Sequence, residues 1–334
     1  MAQNLRSRIY GVGYYVPPKV VTNEDLSQLM DTSDEWIQQR TGIKQRHFLE
    51  QGQDNSDLAV EATKIALDRA NLKKEDIDYI IFATLSPDHE FPGTSCFLQA
   101  KLGLGSIPAL DIRTQCTGFI YGLQLADSLV RTGQYKRILV VGSEAHSRGL
   151  DISTRGREVS VLFGDGAGAA IVGPSDDERG IFAIKTHADG NFAKELWLPA
   201  PGTAYFPTRL SKEMIDDASV FPKMNGKTVF LNAVRRMPDV LIEATKSLGI
   251  EINQIDLLVP HQANLRINDA VAQQLGFPKE KVFNTIERFG NTTAATLPIG
   301  LSEAEKAGVL KPGMLVALVA FGSGFTWGSA LIRW

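Results

Sequence analysis

The sequence predicts an α/β protein in which one folding unit is used twice. Two observations carry this. Residues 66–78 and 244–256 share the pattern helix, short turn, Ile-Asp, apolar strand, at a constant spacing (244 − 66 = 178). Two more apolar strands, 137–142 and 314–322, follow in the same order, each leading through a Gly-rich turn into another strand, 167–172 and 327–332. Each half then reads as a mixed, mostly parallel sheet with helices on its faces. The halves divide at 1–176 and 177–334, and a chain of 334 residues can fill two such domains with a large core.

The elements follow in order. Residues 9–16 read as a first strand, ended by Pro17 and Pro18. Asn23 is placed to cap a helix through Met30, with Glu24 and Asp25 in its first turn. Ser33 or Asp34 caps another, carrying Trp36 and Arg40 and ending at Gly42. Ser56 is expected to cap a long helix over 57–71 whose small apolar face suits close packing on a sheet. Residues 77–83 and 108–113 read as buried strands, and the helical spacing of Phe119, Ile120, Leu123 and Val130 predicts a helix from Thr117 to Gly133. Residues 201–225 fit neither copy. They read as an excursion over the domain junction, with one short helix at 211–217.

Bulk properties exclude several classes. Hydrophobic residues make up 43% and charged residues 22%, as in ordinary globular proteins. A net charge of −3 gives no general affinity for nucleic acid or an anionic membrane. Two cysteines argue against a disulfide framework and fit a reducing cytoplasm. No apolar stretch follows the basic residues near the start, so no secretory leader is expected, and the apolar run 315–321 is too short to span a bilayer. The five histidines are scattered without zinc-type spacing, so no metal is expected.

Four junctions could carry chemistry. Cys116 sits between the strand 108–113 and the start of the following helix, where free amides and the helix dipole can lower a thiol pKa from about 8.5 into the range of about 3.5–7.5. Cys96 reads instead as a buried small residue at a helix start. His261 follows the second copy's strand, Asn291 follows Gly290 at a loop-to-helix junction, and Ser323 lies in a Gly-rich turn after the next strand. Taken singly, His261 could be structural, Asn291 a plain cap, and the turn at Ser323 a simple connection. The Gly-rich stretch 164–168 lacks the Lys-Ser/Thr of a phosphate loop and leads into a strand, so it reads as a packing turn. In a doubled sheet architecture, strand ends and helix starts from both halves can meet in one crevice.

These stretches, together with 31–43, 163–170, 259–267, 290–295 and 320–331, resemble β-ketoacyl-acyl-carrier-protein synthase III, of the thiolase-fold condensing enzymes. The resemblance implies a duplicated thiolase-like fold, five-layered αβαβα with two mixed sheets. It also implies a decarboxylative Claisen condensation that starts fatty acid synthesis. Cys116 would take the acyl group of a primer acyl-CoA, acetyl or another short chain, with the amides of Cys116 and Ser323 holding the oxyanion. His261 and Asn291, both as donors, would stabilise the enolate left when malonyl-acyl carrier protein loses CO2. Coenzyme A would be a substrate part rather than a resident cofactor.

By the same resemblance Trp36 would stack on adenine, with Arg40 and Arg157 at the phosphates. Gly226, Phe230 and Asn264 would line the pantetheine tunnel. Phe91, Phe163 and Phe321 would form the acyl pocket, with Phe91 reaching into the partner of a homodimer. Gln262 and Arg266 would face the acidic carrier protein. Two departures stand out. The family's Gly-Gly-Gly turn is Gly322-Ser323-Gly324 here, so its backbone donor depends on the φ of Ser323. The excursion at 201–225 is long, and enlarging or lidding the acyl pocket is its expected role. The alternatives are a relative that uses longer acyl chains or serves specialised metabolism, and a non-catalytic acyl- or carrier-binding protein. A degradative thiolase needs a second cysteine near the C-terminus, and none follows Cys116. A dinucleotide-binding dehydrogenase would need a Gly-x-Gly-x-x-Gly after the first strand, which is absent.

Overall fold

A computed structural model describes residues 6–334. The strands of its two large sheets are β1 (Arg6–Tyr15), β2 (Tyr79–Ala83), β3 (Ala109–Ile112), β4 (Ile138–Glu144), β5 (Gly166–Ser175), β6 (Gly180–Ala188), β7 (Leu257–Pro260), β8 (Leu315–Gly322) and β9 (Thr326–Arg333). The helices covering them are α1 (Asn55–Ala70), α2 (Thr94–Leu102), α3 (Gly118–Arg131), α4 (Gly226–Leu248), α5 (Leu265–Gln274) and α6 (Thr296–Lys306). The first sheet has the order β1-β5-β4-β2-β3, and the second β6-β9-β8-β7. The second repeats the first and lacks only a counterpart of β3. Helices α3 and α6 begin 178 positions apart (296 − 118), and α1 and α4 end at the same spacing (248 − 70).

Strand alternation builds the layers. Ile81, Ile138 and Val140 face the middle of the molecule, while Ile80, Phe82, Leu139 and Val141 face the outer helices α1 and α2. Between the sheets lie α3 and α6, whose Phe119, Ile120, Leu123, Leu297 and Leu301 pack against both. Helices α4 and α5 cover the far face of the second sheet. Five layers, αβαβα, result. Because the sheets are covered on both faces, their central strands read as nearly unbroken apolar runs. Each such buried Leu, Ile or Phe contributes roughly 1.5–3 kcal/mol.

The expectation of mostly parallel sheets is corrected. In the first sheet β2 runs parallel to β3 and β4, but β5 is antiparallel to β1 and β4. In the second only β7 and β8 are parallel. The turn from β8 to β9 spans only Ser323, Gly324 and Phe325, too short for the crossover that a parallel pair requires.

Local boundaries differ for physical reasons. Thr22, not Asn23, caps the first helix through a capping box with Asp25, and that helix ends at Ser27. Asn23 is buried and bonds Ile43 O and Asp34 instead. Asp54 caps α1, with Ser56 buried inside its first turn. Strand β3 is an edge strand with Leu110 exposed, so it is not fully buried. Cys96 is exposed, because α2 turns Leu98 and Leu102 inward. The excursion is closed at its base by a short ribbon pairing Leu196–Trp197 with Lys223–Met224, and it contains a helix, Lys212–Asp216, capped by Ser211. Among the described residues no helix is long and apolar enough to cross a membrane.

Candidate active site

The chain leaves β3, makes a tight turn over Gln115–Thr117 and enters α3, which places Cys116 beneath the helix start. The N–H groups of Cys116 and Ser323 and the Thr293 hydroxyl act on its sulfur in the direction that favours the thiolate. The expected lowering of the thiol pKa is nevertheless overturned. Burial pushes Cys116 up to about 12, and the nearby Glu144 carboxylate adds to the rise. Those three groups oppose this and lose, so the resting sulfur is a thiol. Glu144 ends β4 and is itself pushed up to about 7 by burial, against donors from Ser86, Leu85, Thr84 and Ala294. Gly322 makes room for the sulfur: a Cβ there would lie 2.8 Å from Cys116 Cβ and 3.1 Å from its nitrogen.

His261 follows β7, its backbone N–H bonded to Val319 O at 2.8 Å. Burial pushes its pKa down to about 3, so the ring is neutral. Nδ1 lies 2.7 Å from Thr296 Oγ1 at the start of α6, and Nε2 is buried without a partner. Thr296 Oγ1 also lies 2.9 Å from Thr293 O. This hydroxyl selects the tautomer. Donating to Nδ1, it leaves the ring proton on Nε2, as a hydrogen-bond donor requires; donating to Thr293 O, it leaves Nε2 a lone pair.

Asn291 is pinned by the stretch that reads as a packing turn. Its N–H bonds Leu162 O at 2.8 Å, and its carbonyl accepts from Gly164 N at 3.1 Å. Its Oδ1 accepts from Thr293 N at 2.8 Å, which turns the carboxamide nitrogen away from that contact. Cys116, His261 and Asn291 line one cavity of about 450 Å³.

The same cavity runs outward past Gly226, Phe230 and Asn264 to Trp36, Arg40 and Arg266. Trp36 is flanked by the guanidinium of Arg40, 4.2 Å from its ring, and that of Arg157, 5.2 Å away. Arg157 does not line the cavity and is held by Asp31. Asn264 caps α5 and donates to Arg40 O at 2.9 Å, tying the two sides of the mouth together. Arg266 is exposed.

Gln262 is not a surface residue. It is buried, with Nε2 donating to Pro260 O and Oε1 accepting from the N–H groups of Thr285 and Ile286, which fixes the turn after β7. Ser323 keeps the backbone donor because its φ is not positive. Its hydroxyl bonds Leu196 O at the base of the excursion.

A second cavity, of about 860 Å³, also reaches Cys116. Phe163 lines both cavities and Phe321 only the first; Phe91 lines neither and is 82% exposed. The excursion walls this second cavity with its stems, Leu196, Trp197, Leu198 and Pro222, while its tip residue Phe206 is solvent-exposed. Sequence reasoning missed Glu144, His146 and Thr293. His146 stands two residues past the end of β4, as His261 stands one past β7, and that strand-end position is the signal that points to it.

Two layered sheets and a buried thiol at their junction are what the resemblance to the thiolase-fold condensing enzymes implies, and the comparisons with known proteins place the chain in that acyl-transferring class. The family model described as 3-oxoacyl-[acyl-carrier-protein] synthase III matches residues 110–190, and its C-terminal counterpart matches 245–334. A β-ketoacyl-[acyl-carrier-protein] synthase III of Caldanaerobacter subterraneus is 44% identical over 334 residues, covering 100% of this chain and 99% of that protein. One from Xanthomonas euvesicatoria is 43% identical with full coverage of both. The crystal structure of the Aquifex aeolicus 3-oxoacyl-[acyl-carrier-protein] synthase III superposes with a TM-score of 0.90 at 42% identity, over 98% of this chain and 100% of that one. The chain belongs to the β-ketoacyl-acyl-carrier-protein synthase III family.

Proposed function

We propose that this protein condenses a primer acyl-CoA with malonyl-acyl carrier protein, releasing CO2 and CoA and giving 3-oxoacyl-acyl carrier protein, the step that starts fatty acid synthesis. The observation that carries the reading is the convergence of Cys116 from one half with His261 and Asn291 from the other on a single cavity whose mouth holds Trp36 and Arg40. Cys116 attacks the thioester carbonyl, and the amides of Cys116 and Ser323 take the oxyanion; losing one such donor costs about 3–4 kcal/mol of barrier. The malonyl thioester then enters. His261 Nε2 and the Asn291 carboxamide hold the enolate oxygen as CO2 leaves, a role that requires the Thr296 hydroxyl to turn from Thr293 O to His261 Nδ1 so that the ring proton sits on Nε2. The carbanion attacks the acyl-Cys116 carbonyl and frees the sulfur. The chemistry uses thioesters as substrates and no resident cofactor.

Trp36, Arg40 and Arg157 bind the adenine and phosphates, and Gly226, Phe230 and Asn264 line the pantetheine path. Arg266 alone of the two predicted positions remains as a carrier-protein contact. The halves 1–176 and 177–334 act as a pair, in a cytoplasmic homodimer in which Phe91 enters the acyl cavity of a second copy; its exposure and its absence from both cavities of its own chain support this.

A second reading, longer primers, is favoured by the second cavity, which also reaches Cys116 and at about 860 Å³ is larger than the first at about 450 Å³. Turnover of an acyl-CoA panel with malonyl-acyl carrier protein tests both. Cys116→Ala abolishes acylation; His261→Ala and Asn291→Ala lose decarboxylation but still acylate Cys116. Unimpaired condensation by either of the latter refutes its role.

A further inference from the structure

Cys116 lies at the boundary of two cavities, and each contributes a histidine. His261 lines the first and His146 the second. Thr293 lines the second beside His146. The Nε2 of His146 is 2.7 Å from Thr293 Oγ1, and the turn that carries Thr293 packs against the turn that carries Cys116, where the Thr293 hydroxyl acts on the sulfur. Sulfur, hydroxyl and imidazole thus form a continuous chain. Its geometry is imposed. Thr293 holds φ at 48°, the left-handed region that a β-branched residue avoids, and Gln115, next to the nucleophile, does the same at 47°. His146 is further fixed by Phe163, whose ring centroid is 4.5 Å from its own.

We infer that His146 is a positioning and proton-accepting residue for the acyl-transfer half of the reaction, acting on Cys116 through the Thr293 hydroxyl. The inference rests on the function proposed above. The relay requires the Thr293 hydroxyl to turn from the sulfur to His146 Nε2; as Cys116 attacks, its Sγ–H proton then passes to Thr293 Oγ1 while the Thr293 hydroxyl proton passes to His146 Nε2. The new S–C bond sends the carbonyl electrons to the oxygen held by the two amides. When the tetrahedral adduct collapses, the C–S bond to CoA breaks. The departing CoA thiolate recovers the proton along the same path, and His146 is left neutral. The division of labour is then one histidine per half-reaction: His146 for the thiol proton, His261 for the enolate.

A proton path is needed here because burial keeps the resting sulfur protonated. The same burial pushes His146 down to about 3, so it rests neutral, and Nε2 is the acceptor toward Thr293 in the tautomer that carries the ring proton on Nδ1. The other ionisable groups around the pair are engaged elsewhere or further out. Glu144 is bound by Thr84, Leu85 and Ser86, and Asp165 by Leu49 and Ser147. His261 bonds Thr296 on the other cavity. Asp54, Asp88, Arg113 and Arg148 line the second cavity, and none of them is hydrogen-bonded to His146.

The test uses a Cys96→Ser background, since Cys96 is exposed and would also be alkylated. Two rates are measured against pH: alkylation of Cys116 by iodoacetamide, and acylation of Cys116 by acyl-CoA. His146→Leu and Thr293→Val are expected to slow both about 100-fold at neutral pH and to move the alkylation midpoint upward. The double variant is expected to be no slower than either single one. Thr293→Ser restores the rate lost in Thr293→Val. His146→Gln keeps a hydrogen bond to Thr293 but accepts no proton, so it is expected to be as slow as His146→Leu; it carries the test if the leucine variant misfolds. CO2 release from malonyl-acyl carrier protein by enzyme already acylated is expected to change far less. Wild-type pH profiles in His146→Gln, or single losses that multiply in the double variant, overturn the relay. If the wild-type protein itself is never acylated, the proposed function fails instead.

Discussion

Replacing Asn291 by Asp separates its two jobs. The Asp side chain keeps an oxygen to accept from Thr293 N–H, now at 2.8 Å, and nearly the same volume. It loses the N–H donors and places a carboxyl oxygen where the nitrogen stood. Loss of one donor to a developing oxyanion costs about 3–4 kcal/mol, or roughly 10²–10³ in rate. An ionised carboxylate about 4 Å from the enolate adds repulsion of up to about 4 kcal/mol at an effective dielectric of 20. The expected loss of decarboxylation at pH 7.5 is therefore at least about 10²-fold. The deficit shrinks on acidification, because a protonated carboxyl is again a donor. Radiolabelled CO2 release by pre-acylated enzyme, read from pH 5 to 8, measures this, with acyl-Cys116 formation followed in parallel. Equal losses in both half-reactions, or a deficit independent of pH, would show that Asn291 only shapes the loop.

Gly322→Ala forces a methyl to within 2.8 Å of Cys116 Cβ, with backbone rather than a flexible side-chain end beside it, so it is expected to lower stability by about 1–3 kcal/mol and nearly abolish acylation; thermal melts and adduct mass check the two effects. Acid is expected to destabilise the fold. Burial lowers the pKa of His146 and His261 to about 3, so their unfolded forms bind protons below about 6.5 while the native forms do not, and each removes about 1.4 kcal/mol per pH unit from there down. Glu144 has the opposite sign: raised to about 7, it favours the native state below its unfolded value of 4.5 and loses that contribution as pH rises through 7. It therefore offsets one histidine above pH 4.5 and none of the further loss below it. Urea melts from pH 7.5 to 4 should show the decline steepen near 4.5, and a flat profile would contradict the buried neutral histidines.

Much of the architecture was legible because strands covered on both faces and helices ending at a repeat spacing leave local signals. The pairing of 66–78 with 244–256 located α1, α4, β2 and β7, and the observed helix bounds keep the same offset. Strand direction was less legible, since pairing depends on connection length rather than composition. Boundaries failed where a neighbouring side chain won the cap, as Asp54 did over Ser56. At the site, the helix start beside Cys116 was visible, but the burial and the Glu144 charge that outweigh it arrive from β4, far along the chain. Gln262 looked like a surface amide because the two N–H groups it satisfies lie 23 and 24 residues away. His146 was marked only by its place just past a strand end, and Thr293 only by lying within 290–295; the approach of two strand ends to one loop is what brings them to the sulfur.

Peptide-level mass spectrometry of the protein after brief exposure to acyl-CoA, without malonyl donor, tests the acyl-enzyme directly. The expected result is one acyl group on Cys116, none on the exposed Cys96, and its discharge on adding malonyl-acyl carrier protein. An unmodified Cys116 under conditions in which 3-oxoacyl product forms would contradict the account.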